Sequence, residues 1–371
     1  MDIQRFETIV IGAGMAGATA AANLALSGRK TALLEAEDSA GYHTTGRSAA
    51  IWILNYGSAD ARILTGASRA FFETPPPGFT EATLAHKRAV VFIAPPEQQA
   101  HLADMIAMGE GMVPIDPVAV RALVPALKPG YAVGGGIEAD AFDMDVAALH
   151  QGYLRQLRQL GGALALRHRA GRVERVAGEW RVEALGGVVF AAPVVVNAAG
   201  AWGDEVAGLA GVRPVGLQPK RRTACIIDPG QFDVTDWPML GDVDHSWYVR
   251  PEARSKLMVS PADETDDTPH DVQPDELDVA IAIDRMQQAL DIPVRRIEHS
   301  WAGLRTFSPD RGLVIGPCEV PGFHWMCGQG GYGIQTAPAA GVLVAALVNG
   351  THPGEELARA VPLTDPMRFQ R

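Results

Sequence analysis

Residues 6–36, FETIVIGAGMAGATAAANLALSGRKTALLEA, constrain this chain more than any other stretch. The apolar run Thr8–Ile11 has the length of a buried strand. Gly12, Gly14 and Gly17 follow it at G-x-G-x-x-G spacing. An alanine-rich helical stretch then runs toward Gly28, and a second apolar strand ends on Glu35. Each part has a mechanical job in holding a dinucleotide. Gly12 permits the tight turn out of the strand, Gly14 lets backbone approach a pyrophosphate, and Gly17 lets helix and strand pack closely. The helix N-terminus offers free N–H groups and a positive dipole end to phosphate, and Ala16 lies in that first turn. Glu35, eighteen positions after Gly17, can accept hydrogen bonds from ribose hydroxyls.

A length of 371 residues allows about two domains, and 47% apolar residues support an ordinary globular core. The formal net charge of −11, with no basic block, disfavours nucleic acid as a partner. Cys225, Cys318 and Cys327 are too few and too scattered for a disulfide framework or a zinc site, so no metal is expected. The first strand begins within ten residues of Met1, which leaves no room for a signal peptide. No apolar run approaches the roughly eighteen residues needed to span a bilayer. The expectation is a cytoplasmic protein with no integral membrane segment.

Further along, TPPPG at 74–78 is a breaker cluster that marks a crossing between domains. HKRAVVFIA at 86–94 reads as a strand, 97–109 as an amphipathic helix, and 145–160 as helical. GRVERV and EWRVEAL alternate like an antiparallel ribbon. PVVVNAAGAWGDEVAGLAG has the order strand, small-residue turn, helix, which puts a second such turn against the nucleotide. RRTACIID, SWYVRP and KLMVSP are strand-like, whereas ADETDDTPHDVQPDE at 262–276 reads as an acidic surface loop leading into a helix. Strand–turn–helix patterning returns in the tail, ending in a helix at 334–348. Nucleotide-type segments therefore occur at the start, middle and end, with sheet-rich segments between them. The expected fold is mixed α/β: a Rossmann-like domain from 1–75, 143–212 and 301–371, and a discontinuous, mostly antiparallel β-sheet domain from 76–142 and 213–300.

The first motif alone suits NAD as well as FAD, and the segments after it favour the flavin. GYHTTGRSA places Arg47 and Ser48 among small residues, suited to clamping a phosphate-linked chain along its length. GQGGYGIQTAP puts Gly328, Gly330, Gly331 and Gly333 just before a helix. Glycines there let backbone touch a ring face, and a helix N-terminus stabilises the negative charge of a reduced flavin.

These motifs together resemble the FAD-dependent D-amino-acid oxidase/glycine oxidase superfamily. Within it the chain is most similar to D-arginine dehydrogenase-type D-amino-acid dehydrogenases. The resemblance runs over essentially the full length, through VIGAGMAGA, GYHTTGRSAA, ALHQGYLR, VVNAAGAW, GLAGVRPVGLQPKRR, DWPML, HDVQPDELD, WAGLRTF and QGGYGIQT. It implies noncovalent FAD in a Rossmann-like domain, with a substrate sheet over the flavin's reactive face. It carries cofactor contacts to Ala36, His43, Thr45, Gly46, Ala49, Val173, Ala199, Gly200, Trp202, Gly303, Arg305, Tyr332, Ile334 and Gln335, beside the residues already named.

The same resemblance implies a substrate site. Arg222 in PKRRTA and Arg305 in AGLRTF stand where the family grips a carboxylate, a task that suits a planar guanidinium. Tyr56 and Tyr248 match tyrosines that reach the substrate, and Gly331 (through its carbonyl) and Gln335 match positions flanking the amine and carboxylate. The implied reaction passes hydride from Cα to flavin N5, giving an imino acid that water converts to a 2-oxo acid and ammonia. Arginine-selective relatives carry a glutamate where Ala89 stands here, and a histidine where Ile51 precedes Trp52. A cationic side chain then lacks its counter-charge, so apolar or small neutral D-amino acids are expected over D-arginine and D-lysine. The alternative is a glycine/sarcosine-type or other secondary-amine or 2-hydroxy-acid oxidoreductase. Oxygen, a quinone and another carrier all stay open as electron acceptors.

Overall fold

The computed structural model describes residues 3–253 and 255–369. Its first sheet has six strands in the order 163–165, 31–34, 8–11, 194–197, 323–327 and 314–317. All pairs are parallel except 314–317 against 323–327. Period-2 alternation divides its apolar side chains between two cores. Val10, Leu33 and Val196 face helices Met15–Leu26, Val146–Gln159 and Ala337–Asn349. Ile9, Ile11, Ala32, Leu34 and Val195 face Trp180, Val182 and Phe190 of a second sheet. That second sheet has four strands ordered 3–5, 189–192, 179–184 and 170–176, and it contains the antiparallel ribbon expected from GRVERV and EWRVEAL. The alanines of Met15–Leu26 have a packing reason. A Cβ on Gly341 would lie 2.2 Å from Thr19 Oγ1, so the first and last long helices approach too closely for larger residues.

A nine-stranded sheet forms the rest of the molecule. Its path is 265–266, 218–227, 256–260, 248–252, 239–242, 90–94, 134–138 and 113–115, and 299–307 pairs along 218–227. Helix Glu276–Ala289 covers it through Ala282, Met286 and Ala289. Asp275 caps that helix by accepting from Leu277 N at 2.9 Å. A small sheet of 51–52, 142–144 and 85–87 links the two halves.

Two expectations need correction. HKRAVVFIA is two strands: Ala85–Lys87 pairs with Phe142–Met144, while Val90–Ala94 enters the large sheet. The break falls at Arg88, whose N–H donates to Ala141 O and whose guanidinium engages Asp143. His299–Phe307 belongs to the large sheet, not to the nucleotide-type unit that was expected to begin at 301, because nine residue pairs hold it to Gln218–Ile227.

His324, central in strand Phe323–Cys327, makes one consequence of this burial testable. The residue is 7% exposed, and its Nδ1 finds no hydrogen-bond partner among the described residues. Burial, aided by Arg29, pushes its pKa down to about 4 from the ordinary 6.5. The folded state therefore binds fewer protons than the unfolded chain between those values, so stability falls on acidification across that window. His324→Phe is expected to flatten the fall in Tm between pH 6.5 and 4. An unchanged Tm-against-pH slope would show that His324 is not the titrating group.

Candidate functional site

A cavity of about 730 Å³ opens at the carboxyl ends of the parallel strands, where an open α/β sheet characteristically binds ligands. Gly12, Gly14, Ala16, Glu35 and Ala36 line it from the first strand–turn–helix–strand unit. Gly12 has φ +100°, and a Cβ there would lie 2.6 Å from Ala198 O, so only glycine makes this turn. The first bond of helix Met15–Leu26 runs from Ala18 N to Gly14 O, which leaves the N–H groups of Ala16 and Gly17 outside the helix's own ladder. Glu35 accepts from Ala13 N at 2.8 Å and Glu37 N at 3.0 Å, so backbone N–H groups fix both of its oxygens in the cavity wall.

His43, Thr45, Arg47, Ser48 and Ala49 form the next wall, and Ala199, Gly200 and Trp202 the opposite one. Thr45 Oγ1 accepts from Met15 N at 2.9 Å and so fixes the wall to the helix end. His43 Nε2 lies 3.0 Å from Glu37 Oε1, and its ring packs on Trp202. Gly303, Arg305, Gly330, Gly331, Gly333 and Ile334 close the far end.

That end adjoins a second cavity of about 470 Å³, which shares Arg222, Tyr248, Arg305 and Gly331 with the first and adds Tyr56 and Gln335. The strand register explains why both arginines reach it. Arg222 stands opposite Gly303, and Arg305 lies two residues beyond Gly303, so both side chains project from one face. Gly303 carries no side chain between them, and Arg47 Cβ packs 3.4 Å from where its Cβ would stand. Arg305 Nη1 donates to Tyr56 OH at 3.0 Å. Gly331 is crowded into the same corner: a Cβ there would lie 2.8 Å from Arg305 Nη1 and 3.0 Å from Tyr56 OH. Burial, and then Arg305, push the Arg222 pKa down. For Arg305 burial pulls the same way, but Tyr56, Tyr248 and Glu264 outweigh it and raise the value. For Tyr56 the two guanidinium charges overcome burial and lower it.

Some predicted positions have structural partners of their own. Gly17 lines neither cavity, because a Cβ on it would sit 1.7 Å from Gly12 O; its task is packing. Gly46 is turned into its own loop, donating to Gly41 O, and Tyr332 is buried beneath the site with its hydroxyl on Arg311 O. Val173 is 2% exposed in the ribbon core, and His168, Arg169, Ala170 and Gly171 line the cavity instead. Gln335 spends its amide on Ile53 and on Thr65 Oγ1, which makes it a brace for the Tyr56 segment. Arg47 lines the cavity, yet its guanidinium engages Asp271, Val272 O and Ala302 O and so staples chain segments together.

The acidic stretch 262–276 was read as a surface loop, and this hid part of the site. Asp263 O accepts from Arg222 Nε at 2.8 Å, and Glu264 reaches both Arg222 and Arg311. Glu264, Arg311, Asp244 and His245 all line the second cavity. Charge density alone suggested solvent here, yet Thr223 N and Oγ1 hold the Asp263 carboxylate and the arginines hold that of Glu264.

The model of the FAD dependent oxidoreductase family matches residues 7–347. The chain belongs to that family. Among curated relatives, FAD-dependent oxidoreductase domain-containing protein 1 of Bos taurus is 28% identical over 176 residues, covering 42% of this chain and 35% of the relative. The chain thus matches about a third of that relative's length. Among solved structures, L-proline dehydrogenase from P. horikoshii superimposes with TM-score 0.85 at 19% identity, covering 100% of this chain and 99% of that one. Glycine oxidase from Geobacillus kaustophilus gives 0.83 at 18%, covering 94% and 96%. Iminodiacetate oxidase from Chelativorans sp. BNC1 gives 0.79 at 17%, covering 93% and 96%. At such identities the likeness is one of fold.

The cavity fits FAD, the family's cofactor. It has a glycine turn and open helix end for a pyrophosphate, and Glu35 placed for a ribose. Thr306 Oγ1 in its wall is buried with no partner among the described residues. Among the described residues no cluster could hold a metal, and no helix is long and apolar enough to cross a membrane.

Proposed function

We propose that this FAD-dependent oxidoreductase oxidises the Cα–N bond of D-amino acids with neutral, apolar side chains, releasing the imino acid. The observation that carries the reading is the pair Arg222 and Arg305, projecting on one face around Gly303 and lining both the cofactor cavity and the cavity that adjoins it. A pair of guanidinium groups binds a carboxylate in one orientation. Bound FAD supplies the two-electron acceptor. The arginines hold the carboxylate, the Gly331 carbonyl flanks the amine, and Tyr56 and Tyr248 close the sides. The same positive charges lower the pKa of the substrate amine, so it loses its proton on binding without a dedicated base. We place FAD here noncovalently, with His43 Nε2 directed to Glu37.

The D configuration and the neutral side chain rest on the motif resemblance together with the far wall of the cavity. Ile51, Phe92, Met144, Met239 and Ala262 line that wall, and its 470 Å³ exceeds what glycine requires. Ala89 O accepts from Met239 N at 3.0 Å, so an uncharged residue stands beside that wall. The carboxylates that do line the cavity are engaged: Asp244 with His101 and Gln98, and Glu264 with arginines. An anaerobic panel of D- and L-amino acids, followed by loss of flavin absorbance, tests the reading. D-Leu, D-Met and D-Phe are expected to reduce the flavin with higher efficiency than D-Arg or any L-isomer. A clear win for D-Arg or for an L-isomer would overturn the assignment.

A further inference from the structure

Three guanidinium groups line the second cavity, and an amino acid presents one α-carboxylate. Arg222 and Arg305 suffice for that carboxylate, which leaves Arg311 to be explained. Arg311 comes from the loop after His299–Phe307, adopts φ +65°, and lies with its guanidinium 4.0 Å from the centre of the Phe307 ring. Its Nη2 donates to Glu264 Oε1 at 2.9 Å, and the same oxygen accepts from Arg222 Nη2 at 3.3 Å. One carboxylate oxygen therefore bridges a cation of the substrate clamp and a cation outside it. The Glu264 side chain is 31% exposed and that of Arg311 is 48% exposed, so both remain accessible from the cavity.

We propose that Glu264 determines substrate charge selectivity by occupying Arg311, which would otherwise form a second carboxylate subsite beside the first. Without Glu264 the cavity presents a free planar guanidinium near the Arg222–Arg305 pair, an arrangement that recognises a dicarboxylic amino acid. With Glu264 present, a second substrate carboxylate meets a fixed like charge, and the chain excludes it by repulsion as well as by lack of a partner. Asp244 does not substitute for Glu264, because its oxygens are turned to His101 Nδ1 and Gln98 Nε2.

The inference rests on the proposed carboxylate clamp, and Glu264→Gln in the FAD-loaded enzyme tests it separately. The amide keeps size and hydrogen-bonding shape while removing the charge. The readout is the ratio of anaerobic flavin-reduction efficiencies for D-glutamate and D-leucine. That ratio is expected to rise about tenfold or more in E264Q, the scale of one close charge pair in a partly buried site. Adding Arg311→Gln should return the ratio toward its starting value, an outcome that a merely structural role for Glu264 would not produce. A wild-type enzyme whose flavin no amino acid reduces would defeat the clamp reading itself. A wild type reduced by D-leucine, with an unchanged ratio in E264Q, would defeat only this inference. A ratio that rises equally with and without Arg311 would also overturn it, since the second subsite would then not be Arg311.

Discussion

Replacing Arg305 by alanine is expected to lower kcat/KM for a D-amino acid by about 10²–10³-fold or more, the usual cost of truncating one member of a buried charged contact. The loss has two sources. The substrate carboxylate forfeits half of its grip, and Tyr56 forfeits the donor that holds its hydroxyl at 3.0 Å. In the proposed clamp Arg305 acts on both the bound substrate and the transition state, so KM should rise while kcat also falls. Arg305→Lys keeps the charge and loses the planar fork, so it should recover only part of the rate. FAD content ought to survive both changes, because the glycine turn and Glu35 lie at the other end of the cavity. Steady-state kinetics on the yellow variants decides the matter, and a loss smaller than tenfold for Arg305→Ala would remove this residue from the clamp.

Gly17→Ala is expected to abolish FAD binding and to destabilise the fold by more than about 3 kcal/mol, beyond the usual cost of overpacking. The added methyl would need to sit 1.7 Å from Gly12 O and 3.3 Å from Leu33 Cδ1. The first of these neighbours is backbone, so no side chain can yield. Helix Met15–Leu26 has to move off the strand Thr8–Ile11, and the N–H groups at its start leave the position they hold over the cavity. The ratio of absorbance at flavin and protein wavelengths, read together with Tm, checks this. A yellow Gly17→Ala protein with unchanged Tm would refute the packing argument. An alanine at Gly28 provides the contrast, since nothing lies within 4 Å of its Cβ, although its φ of +90° carries some strain.

The first sheet was legible because its signals are local. A four-residue apolar strand, glycines at fixed spacing and an alanine-rich helix each reflect a constraint that acts over a few residues. The ribbon at 170–184, the helix at 146–159 and the strand–turn–helix after Pro193 were legible for the same reason. Arg222 and Arg305 came from motif resemblance, and the register around Gly303 explains physically why the two belong together. The split of 86–94 into two strands was not legible, since it depends on Arg88 finding Asp143, 55 residues away.

The amino-acid sequence by itself determined the nucleotide-binding unit, because short-range periodicity and glycine geometry encode it, whereas the FAD-dependent class needed the later segments and the choice of Arg222 and Arg305 needed motif resemblance. Tertiary structure alone decided that Gln335 and Arg47 brace chain segments, and that an apparent surface loop delivers Asp263 and Glu264 to Arg222. A charged side chain reads as solvent-facing until its partner is known, and these partners are brought together by sheet register and loop packing across 41 and 42 residues.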